Sequence, residues 1–330
     1  MIVSRELLNY SGRFDFTNEI EPECAWPNSS ISINFEGDKL SAELESDGCD
    51  YFLVVLDGRI HINCLPVKSR KIHILVQDIE HGKHRVELVK RTESYMGTAT
   101  FYGFNIHGGR LLEKDEEKKL KIELFGDSIT CGQAMYGDEN SPYEDINSNS
   151  YLSYGAVAAR ALNADVHITS WSGRGLVRNY DDSPHPLPDR IGFITQKHQE
   201  RVWDFNNYIP DIVVINLGTN DKNQYPPTRE VFVNTYRKFV NRLRGYYGIE
   251  TKIICALGPL IKEKTLHDMR EYIKYGVTEY LNLNGDKNVY FLEFQQQDLE
   301  NGLGQCNHPT PLTHALMAKE LKKKINEILN

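Results

Sequence analysis

The stretch KIELFGDSITCG, residues 121–132, sets the fold of the second half of this chain. An apolar strand over residues 121–125 runs directly into Gly126, Asp127 and Ser128, where a helix begins. A strand followed at once by a helix is typical of proteins with a parallel sheet. Ligands of such sheets bind at the carboxyl ends of the strands. The sequence therefore predicts that Ser128 lies at the functional edge of a parallel sheet.

The rest of this half repeats the same alternation of strand and helix. In the predicted helix over residues 228–244, four apolar side chains share one face at spacings of three and four: Phe232, Tyr236, Phe239 and Leu243. The last helix begins at Thr310-Pro311, a capping residue followed by proline. Another helix is predicted over residues 153–162, and further strands over residues 165–169, 211–217, 252–257 and 288–292. We predict a three-layer α/β/α domain.

Upstream, short strands are separated by turn residues and no segment has a convincing helical period. Strands are predicted over residues 30–35, 51–56, 72–76 and 85–89, and the tight-turn pair Asp57-Gly58 closes the second of them. This rhythm predicts an antiparallel β-sandwich. Residues 112–121 are highly charged and are interpreted as a linker. We therefore expect two domains, a sandwich over residues 1–115 and an α/β domain over residues 116–330.

Composition restricts the classes of partner. The 330 residues include 40% hydrophobic and 25% charged side chains, with a net charge of -8. An acidic surface repels phosphate backbones, so no nucleic acid is expected. No apolar run approaches the ~20 residues of a membrane span, and the first residues show no signal-peptide pattern. We expect a cytoplasmic protein without a membrane partner, or a secreted one if a leader precedes this sequence; a homo-oligomer remains open.

The six cysteines are scattered, without a CxxC pair or a Cys/His cluster. Neither a zinc site nor a redox dithiol is indicated, and no metal or organic cofactor is expected. We interpret most of these cysteines as buried free thiols, although three disulfides remain an alternative.

Chemistry-bearing residues follow the predicted strands. Ser128 follows the first and is a candidate nucleophile, whose own N–H can face an oxyanion. A glycine-rich loop over residues 170–175 follows the second, and Asn220 follows the third. His308, ahead of the last helix, is a candidate general base. Each motif alone is an ordinary turn or cap, but together they predict the site of a nucleophilic hydrolase.

These motifs resemble the four sequence blocks of the SGNH (GDSL) hydrolases. Five segments, distributed over nearly the whole chain, are similar to carbohydrate esterase family 2: WPNSS (26–30), VLDGR (55–59), GKHRVELVKRTE (82–93), FGDSITCG (125–132) and WSGRGLVRN (171–179). The resemblance implies a jelly-roll domain joined to an SGNH domain that removes acetyl groups from plant polysaccharides. It also implies that Ser128 is the nucleophile and His308 the base, with an oxyanion hole formed by Ser128, Gly173 and Asn220.

One position departs from the superfamily pattern. Most SGNH enzymes carry an aspartate three residues before the histidine, completing a triad, whereas this chain has Gln305 there. Cys306 and Asn307 are not acids either. We therefore expect a Ser–His dyad, in which a backbone carbonyl, a water or Gln305 orients His308.

Other residues near these motifs have two interpretations each. Trp171 is either a platform for a sugar ring or a core residue. Arg174 and Arg178 either bind sugar hydroxyls or form surface ion pairs. The remaining four have structural interpretations: Asp127 and Asp221 hold loops through backbone amides, Cys131 packs, and His314 supports the last helix.

The resemblance predicts a carbohydrate O-acetyl esterase for xylan- or mannan-type poly- and oligosaccharides, acting through an acetyl-enzyme on an acetylated carbohydrate. Two alternatives remain. One is a catalytically weak carbohydrate-binding protein, and the other is a small-ester or lipid hydrolase of the same superfamily.

A second histidine provides the first test. Asp182 and His185 match the D-x-x-H-P pattern better than the C-terminal site does, but they lie in a proline-rich loop after the second strand. We predict that His308→Ala abolishes turnover of 4-nitrophenyl acetate, that His185→Ala does not, and that Gln305→Ala lowers turnover far less than His308→Ala. Loss in His185→Ala with retention in His308→Ala would move the base to position 185, and equal losses in Gln305→Ala and His308→Ala would contradict the dyad.

Overall fold

The computed structural model describes residues 5–222 and 225–330. Residues 1–4, which belong to the segment searched for a signal peptide, lie outside the described residues. It divides into two units, one formed by Met1–Glu117 with Phe193–Trp203 and the other by Lys118–Gly192 with Asp204–Asn330. The sequence interpretation placed residues 193–203 in the second domain, whereas they pack with the first unit. Trp26 Nε1 donates to Phe193 O (3.1 Å), which joins this segment to the sandwich.

The first unit contains two antiparallel sheets. Its described strands are β1 Asn9–Ser11, β2 Phe14–Asp15, β3 Glu23–Cys24, β4 Ser30–Gly37, β5 Leu40–Ser46, β6 Asp50–Leu56, β7 Arg59–Val67, β8 Lys71–Val76, β9 Gly82–Lys90, β10 Ala99–Ile106 and β11 Arg110–Leu111, after a 3₁₀ turn at Arg5–Leu7. One sheet has the order β1-β4-β9-β6-β7, with β11 paired to β4, and the other has the order β2-β3-β10-β5-β8. Strands β4, β6, β8 and β9 confirm the four predicted strands.

Alternation along these strands builds the core between the sheets. Phe35, Val54 and Leu88 come from the first sheet and Leu44 and Phe104 from the second, and all five are buried in one cluster. The predicted antiparallel sandwich is thus confirmed.

A fully buried ion pair joins strands β6 and β9 in this unit. Lys90 and Asp50 are 0% exposed, and Lys90 Nζ lies 2.7 Å from Asp50 Oδ1. The lysine also donates to the carbonyls of Thr92 and Glu93 (3.1 Å each). The other carboxylate oxygen accepts from Ser46 Oγ (2.8 Å). Such complete pairing is what makes a fully buried charge tolerable.

The second unit is a parallel sheet with helices. Its strands are β12 Lys121–Gly126, β13 Asp165–Ser170, β14 Ile212–Asn216, β15 Lys252–Leu257 and β16 Val289–Glu293, in the order β13-β12-β14-β15-β16. Its described helices are α1 Ser128–Cys131, α2 Tyr154–Ala161, α3 Leu187–Arg190, α4 Arg229–Tyr247, α5 Glu263–Arg270, α6 Tyr280–Leu283 and α7 Pro311–Leu329, with a π-helix at Glu271–Glu279 joining α5 to α6. Short 3₁₀ turns occur at Asp145–Asn147, Ser150–Leu152, Phe205–Asn207, Asn220–Lys222, Leu299–Asn301 and Gln305–Asn307.

Successive side chains of β12 point to opposite faces of the sheet and contact different helices. Leu124 shares a buried cluster with residues of α2 and α7, whereas the Phe125 ring contacts the Phe239 ring of α4 at 5.8 Å. Thr310 caps α7 by accepting from Thr313 N. Helices therefore cover both faces, as predicted, and the loops after β13, β12 and β14 become neighbours at one edge.

Two further observations concern helices and thiols. None of the helices in the described part of the chain has the length and apolar composition to cross a bilayer. All six cysteines are free, but only Cys24, Cys131 and Cys255 are buried, which is fewer than predicted.

The buried ion pair gives a prediction for stability. Lys90→Met leaves the Asp50 carboxylate buried without its cation, so we expect a loss of about 3–5 kcal/mol in the free energy of unfolding. The double variant Asp50→Asn/Lys90→Met removes both charges and should lose less than Lys90→Met alone. Lys83→Met on the exposed part of β9 is the control, expected within about 0.5 kcal/mol of wild type. Urea unfolding measures all three; equal stability of Lys90→Met and Lys83→Met would contradict the role of the pair.

Candidate active site

Ser128 begins helix α1 directly after the central strand β12. Asp127 caps this helix, since its Oδ1 accepts from Ile129 N at 3.1 Å. A side chain at Gly126 would lie 2.0 Å from Thr130 Oγ1, so the tight strand-to-helix turn requires glycine. Ser128 itself is 9% exposed. The first N–H groups of a helix have no partner within it, which places a hydroxyl and a backbone donor at the same point.

The loops after β13 and β14 are fastened to each other. Asp221 accepts backbone N–H bonds from Leu176 (2.8 Å), Val177 (2.6 Å) and Arg178 (3.0 Å). Asn220 Nδ2 donates to the carbonyl of Arg174 at 2.9 Å. These bonds join the glycine-rich loop to the turn that carries Asn220.

Gly173 lies at the start of the fastened loop. Its φ of 74° is in the left-handed region that favours glycine, and its carbonyl accepts from Tyr180 N at 2.7 Å. At the preceding Trp171, the backbone N–H donates to Gly126 O (3.1 Å), which ties the loop to the end of β12. Three of the four predicted motifs are thus brought together.

Burial raises the pKa of two acids at this edge of the sheet, Asp127 and Asp221. It raises the pKa of Asp127 to about 7, a shift increased by the charge of Asp221 and opposed by the hydrogen bond from Ile129 N. Burial also raises the pKa of Asp221, against the effect of its three backbone donors. Both carboxyl groups bond backbone amides, as predicted from the sequence.

His308 is held by the backbone of its own turn. Its Nδ1 lies 3.2 Å from the carbonyl oxygen of Gln305. Cys306 and Asn307 both have positive φ, 54° and 59°, and form the turn between the two residues. Burial lowers the pKa of His308, opposed by hydrogen bonds to the backbone of Gln305 and Cys306. Of the three ways of orienting His308 left open by the sequence, the structure has the backbone carbonyl.

The side chain of Gln305 binds a different part of the chain, the segment over residues 141–147. Its Oε1 accepts from Glu144 N (3.1 Å) and Asn147 Nδ2 (3.0 Å), while its Nε2 donates to Ser141 Oγ (2.7 Å). Gln305 N donates to Tyr136 O at 3.2 Å. This amide therefore anchors the segment over residues 141–147.

The sequence interpretation missed a buried polar network around Tyr154. The Tyr154 hydroxyl is 3.0 Å from Thr130 Oγ1 and accepts from Asn216 Nδ2 at 3.2 Å. Tyr154 N donates to His314 Nδ1 (3.2 Å), and burial lowers the pKa of that histidine to about 3. The polar Asn216 at the end of the apolar strand IVVIN was the available signal.

The candidate sugar-binding residues have protein partners. The Arg174 and Arg190 guanidinium groups lie 5.0 and 5.4 Å from the centre of the Trp171 ring. Trp171 is partly exposed, so both of its interpretations remain. Arg178 pairs with Asp182 through Nε (2.8 Å), which fits the ion-pair interpretation.

Cys131 and the alternative histidine, His185, also have protein partners. Cys131 Sγ donates to Ser170 Oγ within the core (3.1 Å). The alternative histidine, His185, is exposed, and its Nδ1 lies 3.8 Å from Asp189 Oδ2. In the described ranges, no group of three or more His, Cys, Asp or Glu side chains could hold a metal ion.

Comparisons with known proteins agree in both halves of the chain. Residues 10–114 match the family model of the carbohydrate esterase 2 N-terminal domain, and residues 122–321 match that of the GDSL-like lipase/acylhydrolases. The cellulase/esterase CelE of Acetivibrio thermocellus is 39% identical over 97% of this chain, which spans 39% of the length of that relative. An acetylxylan esterase/glucomannan deacetylase of Cellvibrio japonicus is 30% identical, with 97% of this chain and 88% of the relative covered.

Solved structures give the same picture. A family two carbohydrate esterase from Clostridium thermocellum, in complex with cellohexaose, has a TM-score of 0.94 at 37% identity, covering 98% of this chain and 99% of the other. A family two carbohydrate esterase from Cellvibrio japonicus has a TM-score of 0.88 at 26% identity, covering 100% and 97%.

The lowered pKa of His308 predicts the pH profile. His308 is the candidate general base, which would act in its neutral form, and a pKa below the usual 6.5 keeps it neutral at pH 7. We expect kcat/KM for 4-nitrophenyl acetate to be constant above pH 7 and to fall on acidification, with a midpoint below 6.5. Asp127→Asn, which removes a carboxyl group of pKa about 7 but keeps a capping oxygen, should retain this profile. A midpoint near 7 that disappears in Asp127→Asn would instead assign the profile to Asp127.

Proposed function

Because the chain belongs to carbohydrate esterase family 2 and is a carboxylic ester hydrolase, we propose that it removes O-acetyl groups from xylan- or mannan-type poly- and oligosaccharides through a Ser128–His308 dyad. The observation that carries this proposal is the joining of the loops after β13 and β14 by Asp221, beside the helix that begins with Ser128. It holds the loop of Gly173 against the turn of Asn220, which supports their proposed role as oxyanion donors.

The tautomer of His308 supports its role as the base. A carbonyl oxygen only accepts hydrogen bonds, so the contact with Gln305 O requires the proton on Nδ1. Nε2 is then the unprotonated nitrogen and takes the hydroxyl proton of Ser128. The backbone carbonyl thus does for the tautomer what the acid does in a triad.

In the first half-reaction, Ser128 Oγ attacks the acetyl carbonyl while His308 Nε2 takes its proton. The N–H groups of Ser128 and Gly173 and the amide of Asn220 stabilise the tetrahedral oxyanion. Its collapse breaks the bond to the sugar oxygen, which leaves with the proton from His308. In the second half-reaction, His308 deprotonates a water that attacks the acetyl-enzyme, and acetate is released as the proton returns to Ser128.

The arrangement around Asn220 fits this role. One N–H of its amide donates to Arg174 O, which fixes the plane of the side chain. The amide also donates to Asp127 Oδ2 through a longer hydrogen bond of 3.5 Å, which gives way to the oxyanion in this proposal. The substrate class rests on the relatives: one is named an acetylxylan esterase/glucomannan deacetylase, and another structure holds cellohexaose.

The decisive measurement is acetate release from acetylated xylan and acetylated glucomannan. We expect release by the wild type and a loss of at least about 1000-fold in Ser128→Ala, because nothing else supplies the attacking oxygen. Asn220→Ala should lose about 100- to 1000-fold, as for the loss of one oxyanion donor. Circular dichroism checks that both variants fold. A wild type that binds these polysaccharides but releases no acetate would favour the carbohydrate-binding alternative.

A further inference from the structure

The first unit contains a cleft of its own, with a volume of about 330 Å³. One wall is the five-stranded sheet, and the other includes Lys197, His198 and Arg201 of the segment Phe193–Trp203. The sheet residues that line it alternate with core residues such as Phe14, so they lie on the face turned away from the core. None of these residues takes part in the proposed esterase chemistry.

The floor of the cleft is a row of polar side chains across four adjacent strands. Asp15 is opposite Glu23, Glu23 is opposite Thr100, and Thr100 is opposite Glu45. At a strand separation of about 4.8 Å, this row extends roughly 14 Å across the sheet. Its hydrogen-bonding groups are therefore arranged along a line, which suits an extended ligand.

Most of these groups are fixed before any ligand arrives. Asp15 is 2% exposed, and its Oδ2 lies 2.7 Å from Arg201 Nη1. Although burial acts to raise it, the pKa of Asp15 is lowered by hydrogen bonds from Thr17 and Arg201. Glu45 Oε2 accepts from the Tyr102 hydroxyl at 2.6 Å, and Lys197 Nζ lies 3.4 Å from Asp47 Oδ2.

The lining combines carboxylates with basic side chains. An anionic ligand would meet five carboxylates, and a cationic one would meet Lys197 and Arg201. A neutral polyhydroxylated ligand can use both signs, since its hydroxyl groups donate to carboxylates and accept from ammonium and guanidinium groups. The second oxygen of Glu45 and the lone pairs of the Tyr102 hydroxyl offer further acceptors.

We propose that this cleft is a non-catalytic binding site for a short run of neutral sugar residues, which Glu45 and Tyr102 help to recognise. It goes beyond the proposed esterase function, because it recognises unmodified sugar rings rather than an acetyl ester. Arg70 supports the site by stacking its guanidinium group on the Tyr102 ring at 3.6 Å. The segment Phe193–Trp203 completes it, although it is far from the sandwich strands in sequence.

The test compares two variants of the cleft with a control variant outside it, all made in the full chain. Glu45→Ala removes an acceptor from the cleft, and Tyr102→Phe removes its neighbour's hydroxyl with little change in shape. Glu36→Ala on β4 of the other sheet is the control, since Glu36 pairs with the exposed Arg110 outside the cleft. The probes are xylohexaose, mannohexaose and cellohexaose, none of them acetylated, with binding followed by isothermal titration calorimetry.

We expect Glu45→Ala and Tyr102→Phe to weaken binding of at least one hexasaccharide about tenfold, as for the loss of a hydrogen bond to a charged group. Their kcat/KM for 4-nitrophenyl acetate should equal that of wild type, and Glu36→Ala should match wild type in both assays. Equal binding of all three probes by Glu45→Ala, Tyr102→Phe and Glu36→Ala would overturn the proposal. Failure of the esterase proposal would appear separately, as missing acetate release with binding unchanged.

Discussion

The carboxylate of Asp221, with three backbone N–H groups converging on it, is the interaction on which the candidate site depends. The order of the parallel sheet brings the loops after β13 and β14 to the two sides of β12, but neighbouring loops are not by themselves aligned. Asp221 aligns them, because it belongs to the loop after β14 and binds the backbone of the loop after β13. Its burial is unfavourable for the charge, and three donors are what compensate it. These three hydrogen bonds also fix the position of the neighbouring residue, Asn220.

Much of this could be predicted from the sequence, because parallel strands and helices leave strong local patterns. Each strand of the second unit is a short apolar run, and the motif after each of the first three must reach the same edge. The loop-holding roles of Asp127 and Asp221 also followed, since short acids near turns bond backbone amides. Where the residue type itself dictates the interaction, the sequence interpretation agreed with the structure.

The remaining features depend on contacts that residue type does not reveal. The burial of Lys90 has no signal in the sequence, because its partner Asp50 is 40 positions away and no periodicity links the two. Residues 193–203 pack with strands near the beginning of the chain, as in the Arg201–Asp15 pair, which spans 186 positions. The orientation of His308 comes from a carbonyl, a group that every residue carries. Patterns of side chains cannot identify such a partner.

The contact between His308 and the carbonyl of Gln305 has an evolutionary consequence. A triad acid can be lost by a single codon change, whereas a main-chain oxygen is encoded by every codon at that position. Under the proposed dyad, the side chain at residue 305 has no part in proton transfer, so selection there can act on the segment over residues 141–147, which the glutamine side chain holds. Lineages with this turn can therefore vary the residue at position 305, and with it the shape of the neighbouring loop, without losing the contact that orients His308.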